Sequence, residues 1–286
     1  GGVIGTAAAL GAALYAGPVK KAAEFEAQMS SVQAISGASA GDMAKLSALA
    51  KEMGATTQFT AVESGKALEY MAMAGWKTKQ MIGGLPGIMN LAAASGEDLG
   101  SVSDIVTDAL TAFRMNAEDA GRFADVLAQA SSNANTNVGM MGATFQKVAP
   151  VAGALGYSVE DMSLAIGLMA NASIKADVAG TSLKTSLANM AKPTKQMKAY
   201  MDRYGISLTR SDGTMKTFRE VVDNLRGSLG GLSEAEQVAA ATAIFGKESF
   251  AGMLAVVNAS DEDYKKLSDS INNAKDAAER MAAIKL

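Results

Sequence analysis

The chain has 286 residues, with 26 Lys plus Arg against 29 Asp plus Glu, a formal net charge of −3, no His and no Cys. The two zeros exclude Ser–His–Asp and Cys–His catalysis, zinc held by nitrogen and sulfur ligands, and any disulfide, and the slightly acidic balance argues against an extended basic nucleic-acid surface. Only 4 prolines and many alanines favour helix, while charged residues at 19% fall below the usual ~25%, which suggests surface buried against something else.

The first residue is Gly1 rather than Met, as in a processed or excised piece of a longer chain. Residues 1–17 carry no charge, and Gly1, Gly5, Ala9, Ala13 and Gly17 recur at every fourth position. On a helix that spacing makes one smooth stripe for close helix packing or for a membrane. The run is shorter than the ~20 residues a spanning helix needs. Pro18 reads as a first-turn proline opening the next helix.

Helix starts then recur down the chain. A Ser or Thr followed three residues later by an acid occurs at Ser39/Asp42, Thr60/Glu63, Ser158/Asp161, Thr217/Glu220, Ser233/Glu236 and Ser260/Asp263, with Asn116/Asp119 as a looser case. Each pair can satisfy free amides at a helix start. Gly54, Gly75, Gly96, Gly156, Gly205 and Gly246 follow apolar-periodic runs and read as left-handed helix ends. Pro86, within Gly-Gly-Leu-Pro-Gly, reads as the start of a short helix after a tight turn. Pro150 reads as a kink or a new start within residues 138–155, and Pro193 as a helix end. Residues 205–215 alternate around Asp212-Gly213, a hairpin signal, so two very short strands are expected there. A weak repeat at an offset of 81 residues pairs Gly75-Trp76 with Gly156-Tyr157 and Met81 with Met162.

No catalytic constellation stands out. Gly65-Lys66 and Gly246-Lys247 lack the rest of a phosphate loop. Thr181-Ser-Leu-Lys184 approaches a Ser-x-x-Lys motif but lies in ordinary helical sequence. The paired acids Glu97/Asp98, Glu118/Asp119, Glu160/Asp161 and 261–263 fall in first helical turns, where they offset the helix dipole. Trp76, the only tryptophan, reads as a core anchor or as an interface anchor, and Tyr157 shares its place in the repeat. The lysines of 192–198 read as a solvated helix start, with phosphate contact as the other reading. No cofactor or metal is expected.

Several phrases in order resemble the conserved core region of phage tail tape measure proteins. They are Leu91-Ala-Ala-Ala-Ser-Gly96, Asp104-Ile-Val-Thr-Asp-Ala-Leu110, Ala124-Asp-Val-Leu-Ala128, Val148-Ala-Pro-Val-Ala152 with Gly156-Tyr-Ser-Val-Glu-Asp161, Ala179-Gly-Thr-Ser-Leu183, Asp212-Gly-Thr-Met215 and Ile244-Phe-Gly246. The resemblance runs from about Lys20 to Asn258. It implies a non-enzymatic virion component, inside the tail tube or at the tail tip, that governs tail length and assembly and assists DNA delivery. The implied partners are tail-tube and tail-tip or baseplate proteins; the low charge and the 1–17 stripe add further copies of the chain and host-membrane contact as expectations, and DNA contact is not indicated by charge.

The resulting expectation is an all-α, multi-helix chain with one short β-hairpin near 206–216. It divides into an apolar helix at 1–17, a helical core at 18–258 containing the repeat (57–110 and 138–191), and a polar C-terminal helix at 259–286. The alternative function is a membrane-active pore acting through residues 1–17; a cell-wall hydrolase ranks third.

Overall fold

In the computed structural model, the backbone is described for residues 2–284 and the side chains for residues 16–284. The described residues form fifteen α-helices and a 3-10 turn, with no strand longer than a single bridge. The chain is all-α, as its composition and caps predict.

The helices make a two-layered stack of pairs. One layer holds α1 (Gly2–Ser36), α3 (Ala61–Met73), α5 (Leu99–Ala112), α7 (Val138–Ala154) and α9 (Ala176–Ala191), each packed on the next. The other holds α2 (Ala40–Thr56), α4 (Thr78–Ser95), α6 (Ala120–Asn133) and α8 (Val159–Asn171). From α3 onward, successive first-layer helices start 38, 39 and 38 residues apart. Residues 81 apart therefore lie two steps apart along the stack. Beyond α9 follow α10 (Lys195–Tyr204), α11 (Phe218–Leu229), α12 (Glu234–Phe245) and α13 (Phe250–Asn258). Finally α14 (Asp261–Asn272) and α15 (Ala277–Ile284) fold back over α8, α6 and α4. This return covers α8, whose residues 162–170 are all buried.

The predicted starts hold. Ser39, Thr60, Ser158, Thr217, Ser233 and Ser260 each accept the amide three residues on, and Thr60, Thr217 and Ser233 form reciprocal boxes with Glu63, Glu220 and Glu236. Asn116 donates its amide to Asp119 at the 3-10 turn. Further caps without the acid signature occur at Asp98, Asn137 and Thr194.

One terminator recurs. At the ends of α3, α5, α7, α8 and α10, a residue with positive φ (Gly75, Arg114, Gly156, Ser173, Gly205) is followed by a large apolar one. The amides of these apolar residues (Trp76, Met115, Tyr157, Ile174, Ile206) donate to the carbonyl five residues back, at 2.8–3.0 Å. This bond pattern closes the last turn while the apolar side chain plugs the helix end. Arg114 and Ser173 adopt this conformation without a glycine to announce it.

Four local expectations are corrected. Gly54 lies inside α2 with no positive φ; an added Cβ would sit 2.6 Å from the Ala61 nitrogen, so its smallness serves the close approach of α3. Pro86 does not open a helix but lies within α4. The glycines around it are contact surfaces rather than a turn: Gly84 faces the Trp76 ring and Gly87 faces the backbone of Ala120 and Gly121. Pro18 likewise lies within α1, which runs unbroken from Gly2 to Ser36. The hairpin is one antiparallel bridge, Thr209 to Met215, closed by Arg210 N to Thr214 O at 2.8 Å and Gly213 at φ 86°. It goes no further because the Ser207 amide donates to Asn224 Oδ1 of α11 at 3.2 Å instead of to a facing strand. As for Pro150, α7 continues through it.

Candidate functional site

The two anchor candidates point inward. Trp76 is buried against Gly84, and Tyr157 is buried with its ring 5.0 Å from that of Phe218. The Tyr157 hydroxyl has no hydrogen-bond partner, and burial pushes its pKa up to about 12. Both rings thus serve the chain's own helix ends. Of the small-residue stripe, Gly1, Gly5, Ala9 and Ala13 lie outside the described side chains. Gly17 has open space where a Cβ would stand. Residues 16–24 of α1 are exposed on every side, with Val19 66% exposed; α1 meets the stack only from Phe25 onward. Among the described residues, no helix is long and apolar enough to cross a membrane.

The acid pairs act as caps and staples between helices. Ser158 caps α8 by accepting the Asp161 amide, while the Asp161 carboxylate accepts the Arg219 amide at 3.1 Å and pairs with the Arg219 side chain at 3.3 Å. Glu160 pairs with Arg122 at 3.1 Å, and Glu97 accepts the Gly139 amide at 3.3 Å. Among the described residues no group of three or more acids is placed to hold a metal ion. Thr181 accepts a 3.3 Å hydrogen bond from Lys147, while Lys184 is exposed on α9. The lysines of 192–198 surround the start of α10, and Lys198 pairs with Asp202 at 3.1 Å.

Arg226 is a staple that sequence reasoning missed. Its guanidinium donates to the carbonyls of Val256 and Ala259 at 2.8 Å, pairs with Asp261 at 2.9 Å and lies 4.8 Å above the Tyr264 ring. One side chain thereby closes α13, opens α14 and holds both on α11. No local signal reveals this, since its partners lie 30 or more residues away.

Several surface features remain available to partners. A cavity of about 310 Å³ lies between α9, α10 and the 206–215 turn, lined by Met190, Met201 and Met215. A second of about 300 Å³ lies between α5 and α7 beside Asp108, whose carboxyl is raised by burial and then by Asp104. The groove between α1 and α2 takes in Phe25, Met29 and Lys51. Scattered exposed apolar residues, Met73 and Val178 among them, lie on the first layer.

A two-layered helix stack with contacts distributed along its length defines an all-α array protein. The sequence profile of the family described as "Phage-related minor tail protein" matches residues 47–246, and the chain belongs to that family. Its relatives include the tape measure protein of Pneumococcus phage Dp-1, 37% identical over 93% of this chain and 23% of that protein. Another is the probable tape measure protein of Escherichia phage P2, 24% identical over 79% of this chain and 28% of that protein. The chain thus spans about a quarter of the length of these relatives. No solved structure matches it.

Proposed function

We propose that this chain is a folded region of a phage tape measure protein, a structural part of the tail that acts in tail assembly and length control. The observation that carries the reading is the 37% identity to a tape measure protein, sustained over 93% of the chain. The folded array supports a finer statement: residues in it span little length, so the extended ruler lies in other parts of the protein. In a phage carrying this region, in-frame removal of residues 47–246 tests both parts. Tails that fail to assemble, or that assemble with nearly unchanged length, are expected. Tails shortened by about 300 Å, the extent of 200 residues of continuous helix, refute the folded placement.

The partners proposed with this role are tail-tube and tail-tip proteins and further copies of the chain. Low charge and the exposed outer part of α1 support self-association. Light scattering on the purified chain should show oligomers, and a clean monomer at high concentration refutes it. Catalysis is no part of this reading; clearing of peptidoglycan by the purified chain would overturn that. Host-membrane contact through residues 1–17 remains a secondary proposal, and liposome leakage unchanged by Gly5→Glu with Ala9→Glu would remove it.

A further inference from the structure

The turn between α14 and α15 is at odds with its own sequence. Asp276, the residue before α15, is held at φ 61°, a left-handed conformation that Asp tolerates better than most residues with a Cβ but that still costs more than the right-handed region. The linking residues Asn273, Ala274 and Lys275 include neither Gly nor Pro. Residues 277–283 are mostly good helix formers, so local preference is for α14 to continue into α15. What bends the chain is tertiary. Asp125 of α6 accepts the amides of Asp276 at 2.9 Å and Ala278 at 3.0 Å, free donors at the start of α15. Ala277, Ala278 and Ala282 are buried where α15 packs on α4 and α6. A cleft of about 750 Å³ flanks the turn on the α6 and α8 side, and a cavity of about 380 Å³ separates α15 from α2.

None of these contacts requires α15 and α6 to belong to one chain. If Asp276 returns to the right-handed region, α14 and α15 join into one helix over residues 261–284, about 36 Å long. That carries α15 off its groove; the α15 of a second copy reproduces its packing on α4 and α6, while the Asp276 and Ala278 amides, now inside a continuous helix, donate to the carbonyls four residues back in place of Asp125. We propose that the groove between α4 and α6 is an interface between copies of this chain, formed by reciprocal exchange of α15. Exchange of an identical element makes new dimer contacts without a new surface, and a short strained hinge favours it. The proposal rests on the self-association put forward above and names its surface and its partner.

The absence of native cysteine makes the test direct. Ser132 and Met281 approach across the α6–α15 contact, hydroxyl to sulfur at 3.6 Å. In the Ser132→Cys/Met281→Cys variant of the full chain, the dimer fraction is isolated and treated with a short bis-thiol cross-linker. Covalent dimers on a denaturing gel are expected. A dimer fraction that yields only internally linked monomers overturns strap exchange while leaving self-association standing, and absence of any dimer at high concentration overturns both. Independently of cross-linking, sedimentation should show that Asp276→Ala tightens the dimer about tenfold, because alanine resists positive φ, and that Asp276→Gly weakens it by a similar factor. Equal or reversed effects refute the hinge.

Discussion

Replacing Gly87 with alanine should destabilise the chain, although alanine is the better helix former. Gly87 lies inside α4 where it crosses the start of α6. A Cβ built there stands 2.8 Å from the Ala120 carbonyl carbon, 2.8 Å from the Gly121 nitrogen and 2.9 Å from the Ala120 oxygen. Optimal carbon contacts lie at about 3.5–4.0 Å, so the helices must part by roughly 0.6 Å or more. All three obstructing atoms are backbone, and no side chain can turn aside. Alanine in place of glycine gains up to about 1 kcal/mol of helix propensity, against about 1–3 kcal/mol for forcing extra volume into a packed contact. The interface so displaced also holds the buried Met81, Leu85 and Ile88 of α4, so a net loss of roughly 1–2 kcal/mol is expected. Urea titration followed by circular dichroism reads this as a lower midpoint at unchanged slope. Gly227 of α11 has nothing within 4 Å of its added Cβ, so Gly227→Ala should raise the midpoint, a gain in stability of about 0.5–1 kcal/mol. If Gly87→Ala equals or exceeds the parent, close backbone packing is not what holds α4 on α6.

Arg226→Lys should lose about 2 kcal/mol in the same titration, because a single ammonium cannot serve two carbonyls, a carboxylate and an aromatic face at once; parental stability would dismiss the staple. Trp76→Ala should lose about 3–5 kcal/mol, and in the parent this sole tryptophan should resist acrylamide quenching until the chain unfolds. The Arg210 guanidinium, then the Thr217 amide and hydroxyl, hold the Glu220 carboxyl down at about 2. A depressed carboxyl contributes stability above its ordinary pKa and loses it as pH falls through the lowered one. Glu220→Gln should therefore be less stable than the parent at pH 7, with the gap closing from about pH 4.5 down to about pH 2; a gap constant with pH would contradict the Arg210 contact. For Tyr157 the sign is opposite: burial favours the neutral phenol, so its contribution is present below pH 10 and lost on approach to about pH 12. Absorbance titration of Tyr157→Phe against the parent should remove one late-ionising phenol.

Much of the secondary structure is legible because its signals are local. A capping serine and its acid lie three residues apart, so Ser158/Asp161 or Thr217/Glu220 can be read from the chain and are found bonded as read. The left-handed ends at Gly75, Gly156 and Gly205 are legible for the same reason. Glycine inside a helix is ambiguous, because smallness serves a turn and a close contact equally. Gly54 looks like Gly75 in the sequence, yet one is pressed against α3 and the other ends it. Pro86 misleads because its glycine neighbours suggest a turn, when they make room for Trp76 and the α6 backbone. The anchor candidates divide in the same way. That Trp76 and Tyr157 occupy equivalent places is visible as a repeat; that both face inward is decided by the helices packed on them.

By itself, then, the sequence determined helix content, most helix starts, many ends and membership of a tail-protein family, all carried by short-range chemistry or by ordered phrases along the chain. Only the tertiary structure decided that the helices pair into two layers, that Arg226 joins three of them, and that α15 turns back at Asp276. Those features depend on groups 30 or more residues apart, as far as 153 for Asp125 and the Ala278 amide of α15. Their energies arise only once the stack has brought them together, and no local pattern encodes that meeting.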